Sequence, residues 1–63
     1  MASGIPRTIR LRHKPTGKVY WVEHRIGYRG HEFNYGGGWR ATAEAARIAA
    51  EKSGELREAP NQT

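Results

Sequence analysis

Two periodicities divide the chain into strand-like and helix-like parts. Apolar and basic residues alternate over residues 7–13, RTIRLRH, and this period of two predicts a β-strand. Ile9 and Leu11 then share one face of the strand. Arg10 and Arg12 share the other face, and they must point outward if the apolar pair points toward a core.

Two further strands are predicted, each after a turn. Residues 14–17, KPTG, combine Pro with Gly and are typical of a turn. Residues 18–24, KVYWVEH, are rich in β-forming side chains and predict the second strand. Residues 25–27 predict the next turn, and residues 28–35 predict the third strand.

The faces of the second strand decide which side chains enter the core. We expect its apolar pair, Val19 and Trp21, to join Ile9 and Leu11. The residues expected beside Arg10 and Arg12 are then Tyr20, Val22 and His24. Both faces of this strand carry large apolar groups, so the opposite assignment stays open. In the third strand we place Phe33 and Tyr35 inward, and we expect Trp39 to cover the seam between sheet and helix.

The stretch from Trp39 to Gly54 carries the only clear helical pattern. Thr42 is the predicted N-cap, and Gly54 is the predicted stop after the last turn. A stripe with helical spacing is expected to pack on the sheet. It consists of Ala45, Ile48, Ala49 and Lys52. On this assignment, Ile48→Asp would bury a charge and unfold the domain.

The element order predicts an α+β fold: a three-stranded antiparallel β-sheet packed on one face by a single C-terminal α-helix, βββα. Residues 1–6 are expected to be a flexible N-terminus, residues 7–56 the single domain, and residues 57–63 a disordered tail. One helix covers only one face of the sheet. The other face is expected to stay open and to carry much of the basic charge.

Composition excludes several classes of site. The 63 residues include no cysteine, which rules out disulfides and thiolate metal sites and suits a reducing, cytoplasmic location. No apolar run is long enough to span a membrane, no signal peptide is evident, and the initial Met favours a complete small protein. The spacing of His13, His24 and His31 matches no compact metal site. We therefore expect no metal, no cofactor and no catalysis, and we expect the run of glycines at 36–38 to be a flexible connector.

Charge points to a polyanion partner. The formal net charge is +5, and residues 1–40 hold eight basic and two acidic residues, a net charge of +6. A basic surface on a small domain most often binds nucleic acid. The alternative is a solvated face kept charged against edge-to-edge aggregation. The candidate nucleic-acid-binding residues are Arg7, Arg10, Arg12, Lys14, Lys18, Tyr20, His24, Arg25 and Arg29.

Two segments resemble a known family. Thr16-Gly17 followed by KVYWVEH is similar to the second strand of the plant ethylene-response-factor (APETALA-type) DNA-binding domain, and WRATAEAAR is similar to the start of its helix. Related three-strand-plus-helix modules occur at the N-termini of phage and transposon integrases. The resemblance implies a sheet that lies in the major groove with the helix behind it. The DNA contacts that it implies are Arg10, Arg12, Tyr20, Val22 and His24.

These observations favour a small basic DNA-binding protein, a regulator or recombination accessory of a phage or mobile element. One alternative is a protein–protein adaptor or inhibitor that docks on an acidic surface of a host protein. Another is an RNA-binding module in which Tyr20 and Tyr28 stack on unpaired bases.

Overall fold

The computed structural model describes residues 5–60 of the chain. It contains β1 (Arg7–His13), β2 (Lys18–Gly27), β3 (Gly30–Asn34) and α1 (Ala43–Ser53). The strands form an antiparallel sheet in the order β1-β2-β3, and α1 packs on one face. The predicted α+β, βββα fold is confirmed. Residues 1–4 of the predicted flexible N-terminus and residues 61–63 of the predicted disordered tail lie outside the described residues.

The ends of α1 follow from local capping. The Thr42 hydroxyl accepts a hydrogen bond from the Ala45 N–H at 3.1 Å, which satisfies one of the free donors of the first turn. Gly54 ends the helix in the left-handed conformation, with φ of +72°, where a residue without Cβ is favoured. Both predicted caps are confirmed. The only helix between residues 5 and 60 is α1. It has 11 residues and is too short to cross a bilayer.

The second turn lies further along the chain than residues 25–27. Gly27 and Gly30 are paired across β2 and β3, so the chain reverses through Tyr28 and Arg29. Gly30 has a φ of +112°, a conformation that other residues avoid. The predicted turn at 25–27 is therefore wrong. Residues 25–27 are still part of β2, and Gly30 rather than Gly27 has the positive φ that the turn requires.

The helix buries a different stripe from the predicted one. Ala46 and Ala50 are fully buried and form the core with Val22 and Tyr35, whereas Ile48 is 40% exposed. The expectation that the stripe through Ile48 packs on the sheet is wrong. Alanine occupies both faces of α1, so hydrophobicity alone does not distinguish them. The small alanine face allows α1 to approach the Tyr35 ring closely.

The faces of β2 are also opposite to those expected. Tyr20 pairs with Leu11, and Val22 pairs with Ile9. Residues directly opposite each other share a face of the sheet, so Tyr20 and Val22 lie on the helix side with the two apolar residues of β1. Trp21 lies on the other face. The alternative that the sequence left open is the correct one.

The C-terminal segment lies along the free edge of β2. β3 pairs only with residues 23–27, so the first half of β2 needs other partners. The Trp21 N–H donates to the Arg57 carbonyl at 2.9 Å, and the Ala59 N–H donates to the Val19 carbonyl at 2.8 Å. The prediction that disorder begins at residue 57 is wrong, because this segment satisfies exposed edge groups of β2.

The glycine run at residues 36–38 packs closely against α1. A Cβ at Gly37 would lie 2.8 Å from backbone atoms of Ala49 and Ala50, so only glycine allows this approach. The Asn34 side-chain oxygen accepts hydrogen bonds from the N–H groups of Gly36 and Gly38 at 2.7 and 3.1 Å. The run is a packed turn rather than the flexible connector expected from the sequence.

Candidate nucleic-acid interface

The candidate interface is the face of the sheet turned away from α1, here called the open face. The antiparallel register sends alternate side chains of all three strands to this side. The open face comprises Thr8, Arg10, Arg12, Val19, Trp21, Glu23, Arg25, Glu32 and Asn34. Trp39, which follows the glycine run, extends it beyond β3.

Arg10 and Trp21 form the centre of the open face. They are directly opposite each other on β1 and β2. The Arg10 guanidinium donates to the Pro60 carbonyl at 3.3 Å, and the Arg12 guanidinium donates to the Gly17 carbonyl at 3.2 Å. Both contacts are exposed, and a carbonyl oxygen does not neutralise a guanidinium. Two full positive charges therefore stand beside an indole ring.

A second arginine–tryptophan cluster lies on the β3 side. Arg25 Nε donates to Glu32 Oε1 at 2.7 Å, and the Arg25 guanidinium carbon lies 3.9 Å from the centre of the Trp39 ring. The guanidinium therefore makes both an ion pair and a cation–π contact. These contacts fix the Arg25 plane and neutralise the carboxylate, which would otherwise repel phosphate.

The positive charge of the open face is smaller than the sequence suggested. This surface carries three arginines and two acidic residues, Glu23 and Glu32, which offset part of the positive charge. Further cations lie in the turns at opposite ends of the sheet: Lys14 between β1 and β2, where it lines a cleft on the helix side, and Arg29 between β2 and β3.

Four of the predicted site residues lie on the helix side of the sheet. These are Arg7, Lys18, Tyr20 and His24. The Tyr20 ring contacts Tyr35 edge-on, with ring centres 6.4 Å apart, and belongs to the periphery of the core. The expectation that Tyr20, Val22 and His24 lie beside Arg10 and Arg12 is wrong. The pairing of β1 with β2 places these three side chains on the helix side of the sheet, opposite to the two arginines.

His24 belongs to a stack on the helix side of the sheet. Its Nε2 lies 2.9 Å from His31 Nδ1, and its ring also packs against Phe33. Within residues 5–60, no group of three or more potential metal ligands comes together. These histidines form a hydrogen-bonded aromatic stack.

Sequence reasoning missed the two tryptophans as surface residues. Trp21 and Trp39 were expected in the core, but each is only partly buried and lies on the open face. The signal that identifies Trp21 is the spacing of Tyr20 and Val22, which supply the core from the other face of β2. The position of Trp39 follows from the pairing of its neighbour Arg40 with Phe33, which no local pattern indicates.

The open face brings together three of the nine predicted site residues, namely Arg10, Arg12 and Arg25, with two tryptophans. Comparison of the chain with protein-family models, curated proteins and solved structures gave no significant match. The candidate interface therefore rests on its own geometry and charge.

Proposed function

We propose that this protein is a small DNA-binding protein that uses the open face, acting as a regulator or recombination accessory in a phage or mobile-element setting. The observation that carries the proposal is the exposed arginine pair, Arg10 and Arg12, beside the partly exposed Trp21. This surface belongs to a chain with a net charge of +5. Such a protein would act in the cytoplasm, without a cofactor and without catalysis.

The chemistry of DNA fits this surface in two ways. Guanidinium groups bind phosphate oxygens and can also reach guanine edges in the major groove. A sheet that carries no helix on one side can approach the duplex, because the major groove, about 12 Å wide, admits β-ribbons. The ring of Trp21 would pack against the sugar–phosphate backbone between the two arginines and the Arg25–Trp39 cluster.

A titration with nucleic acids tests the proposal. We expect a fluorescent random-sequence duplex to bind more tightly than a single strand or an RNA hairpin. Counterion release makes the affinity fall with salt, with a slope of about −0.9 per phosphate contact, so three arginine contacts give a slope of roughly −3. Absence of binding to all three probes at low salt would contradict the proposal.

Preferential binding of the single strand or of the RNA hairpin would favour the RNA alternative. Tyr28 is fully exposed in the β2–β3 turn and is available for stacking on a base. Tyr20 is not available, since it packs against the core on the helix side of the sheet.

The adaptor alternative is favoured by the composition of the open face. Tryptophan and arginine dominate the binding energy of protein–protein interfaces, and two of each lie in the Arg10–Trp21 and Arg25–Trp39 clusters. A protein partner retained at moderate salt, without any nucleic acid, would support this function instead.

A further inference from the structure

A second basic region lies on the helix side, at the end of the sheet that holds the β1–β2 turn. Here a cleft of about 220 Å³ separates that turn from the first turns of α1. Its lining includes the cations Arg12, Lys14 and Arg47, together with Tyr35, Ala43 and Glu44. The cleft is smaller than the pockets that hold drug-sized ligands, which start at about 300 Å³.

Tyr35 lines this cleft and carries a hydroxyl group. The residue is only 5% exposed, and no hydrogen bond to its hydroxyl is found among residues 5–60. No fully buried side-chain oxygen in this range lacks a partner, so the hydroxyl oxygen itself keeps contact with solvent. Since the residue lines the cleft, the hydroxyl can reach a molecule bound there. Burial raises the pKa of Tyr35, an effect that the positive charge of Arg47 opposes. The hydroxyl therefore stays protonated near neutral pH and is able to donate.

The N-terminus of α1 supplies backbone donors. Thr42 accepts hydrogen bonds from the N–H groups of Ala45 and Ala46, through its hydroxyl and its carbonyl respectively. The preceding N–H groups, of Ala43 and Glu44, have no acceptor within residues 5–60. Free N–H groups and the helix dipole together favour an anion at this position.

Three cationic side chains line the cleft: Arg12 from the end of β1, Lys14 from the β1–β2 turn and Arg47 from α1. Lys14 is exposed in the turn, and Arg47 is nearly buried, with 15% of its side chain exposed. Arg47 also donates to Glu51 at 3.2 Å, and this ion pair positions the guanidinium and offsets part of its positive charge. Glu44 is the acidic residue in the lining and opposes an anion.

We propose that this cleft binds a phosphate group, held by the Tyr35 hydroxyl, the first N–H groups of α1, Lys14 and Arg47. The phosphate can come from a nucleic-acid backbone that curves around the end of the sheet, or from a free phosphorylated small molecule. The inference does not require the open face to bind DNA.

The test is a titration of the isotopically labelled protein with inorganic phosphate, followed by NMR, with chloride at equal ionic strength as the reference. We expect saturable shifts of the Ala43 and Glu44 amides. Tyr35→Phe keeps the buried ring and removes only the unpartnered hydroxyl, so the fold persists and phosphate affinity falls by roughly tenfold, the effect of losing a hydrogen bond to a charged group.

Two further variants sharpen the test. Tyr28→Phe removes a fully exposed hydroxyl outside the cleft and leaves phosphate affinity unchanged. Glu44→Gln removes the opposing charge from an exposed position and raises the affinity. Shifts that do not saturate, or equal affinity in Tyr35→Phe and the unmodified protein, would overturn the proposal.

The same variants identify the source of the phosphate. If Tyr35→Phe weakens both a nucleoside monophosphate and the random-sequence duplex, the cleft accepts backbone phosphate. If it weakens only the nucleoside monophosphate, the ligand is a free phosphorylated molecule. Failure of the duplex to bind at all would count against the DNA-binding function alone, because inorganic phosphate reports on the cleft independently.

Discussion

Ala46→Asp is expected to unfold the domain. Ala46 is completely buried between α1 and the sheet, where it contacts the cluster that includes Val22 and Tyr35. An unpaired carboxylate there loses its hydration and costs several kcal/mol. A domain of 63 residues is stable by only about 3–9 kcal/mol, so this cost removes most or all of its stability. Circular dichroism during thermal unfolding measures the effect.

Ile48→Asp is the matched control on the same helix. It introduces the same charge two residues later, at a side chain that is 40% exposed. The carboxylate stays hydrated, so we expect a native spectrum and a loss of stability of about 1 kcal/mol or less. The reverse outcome, with Ile48→Asp unfolded and Ala46→Asp native, would mean that α1 presents its other face to the sheet.

Replacing both central arginines is expected to remove most of the duplex binding. Arg10→Ala with Arg12→Ala deletes the two cations beside Trp21, while leaving the Ile9 and Leu11 packing intact. Two lost phosphate contacts lower the magnitude of the salt slope by about two. At low salt, where electrostatic attraction is strongest, the affinity should fall by roughly 100-fold, on the order of one factor of ten per charge-assisted contact.

A variant with the same charge loss on the helix side separates contact from overall charge. Arg40→Ala with Lys52→Ala also removes two positive charges, from exposed residues that line a groove beside α1. We expect a much smaller loss of affinity and a nearly unchanged salt slope. Equal losses for the two double variants would show that binding follows net charge and has no defined face.

Local chemistry made the ends of α1 predictable, whereas its orientation was not. Thr42 and Gly54 act within one turn of the helix, so their residue types are sufficient to indicate the caps. The face that α1 buries depends on the chain path through the glycine run. With alanines at 43, 45, 46, 49 and 50, two stripes satisfy the same spacing, and the contact with Tyr35 selects one of them.

The candidate interface was predictable where the alternation was unambiguous. Arg10 and Arg12 alternate with Ile9 and Leu11 and lie on the open face as expected. β2 carries large apolar groups on both sides, so the side occupied by Trp21 is set by cross-strand register rather than by hydrophobicity. The pairing of residues 57–59 with β2 joins positions nearly 40 apart, and no local pattern indicates such a contact.

The indole resonances test the central claim most directly. The chain has two tryptophans, Trp21 and Trp39, and both lie on the open face. In a titration of the ¹⁵N-labelled protein with a random-sequence duplex, we expect both indole N–H signals to shift, while the amides of Ala46 and Ala50 on the buried face of α1 stay in place. Shifts confined to the helix side, with both indole signals unmoved, would contradict the assignment of the open face as the binding surface.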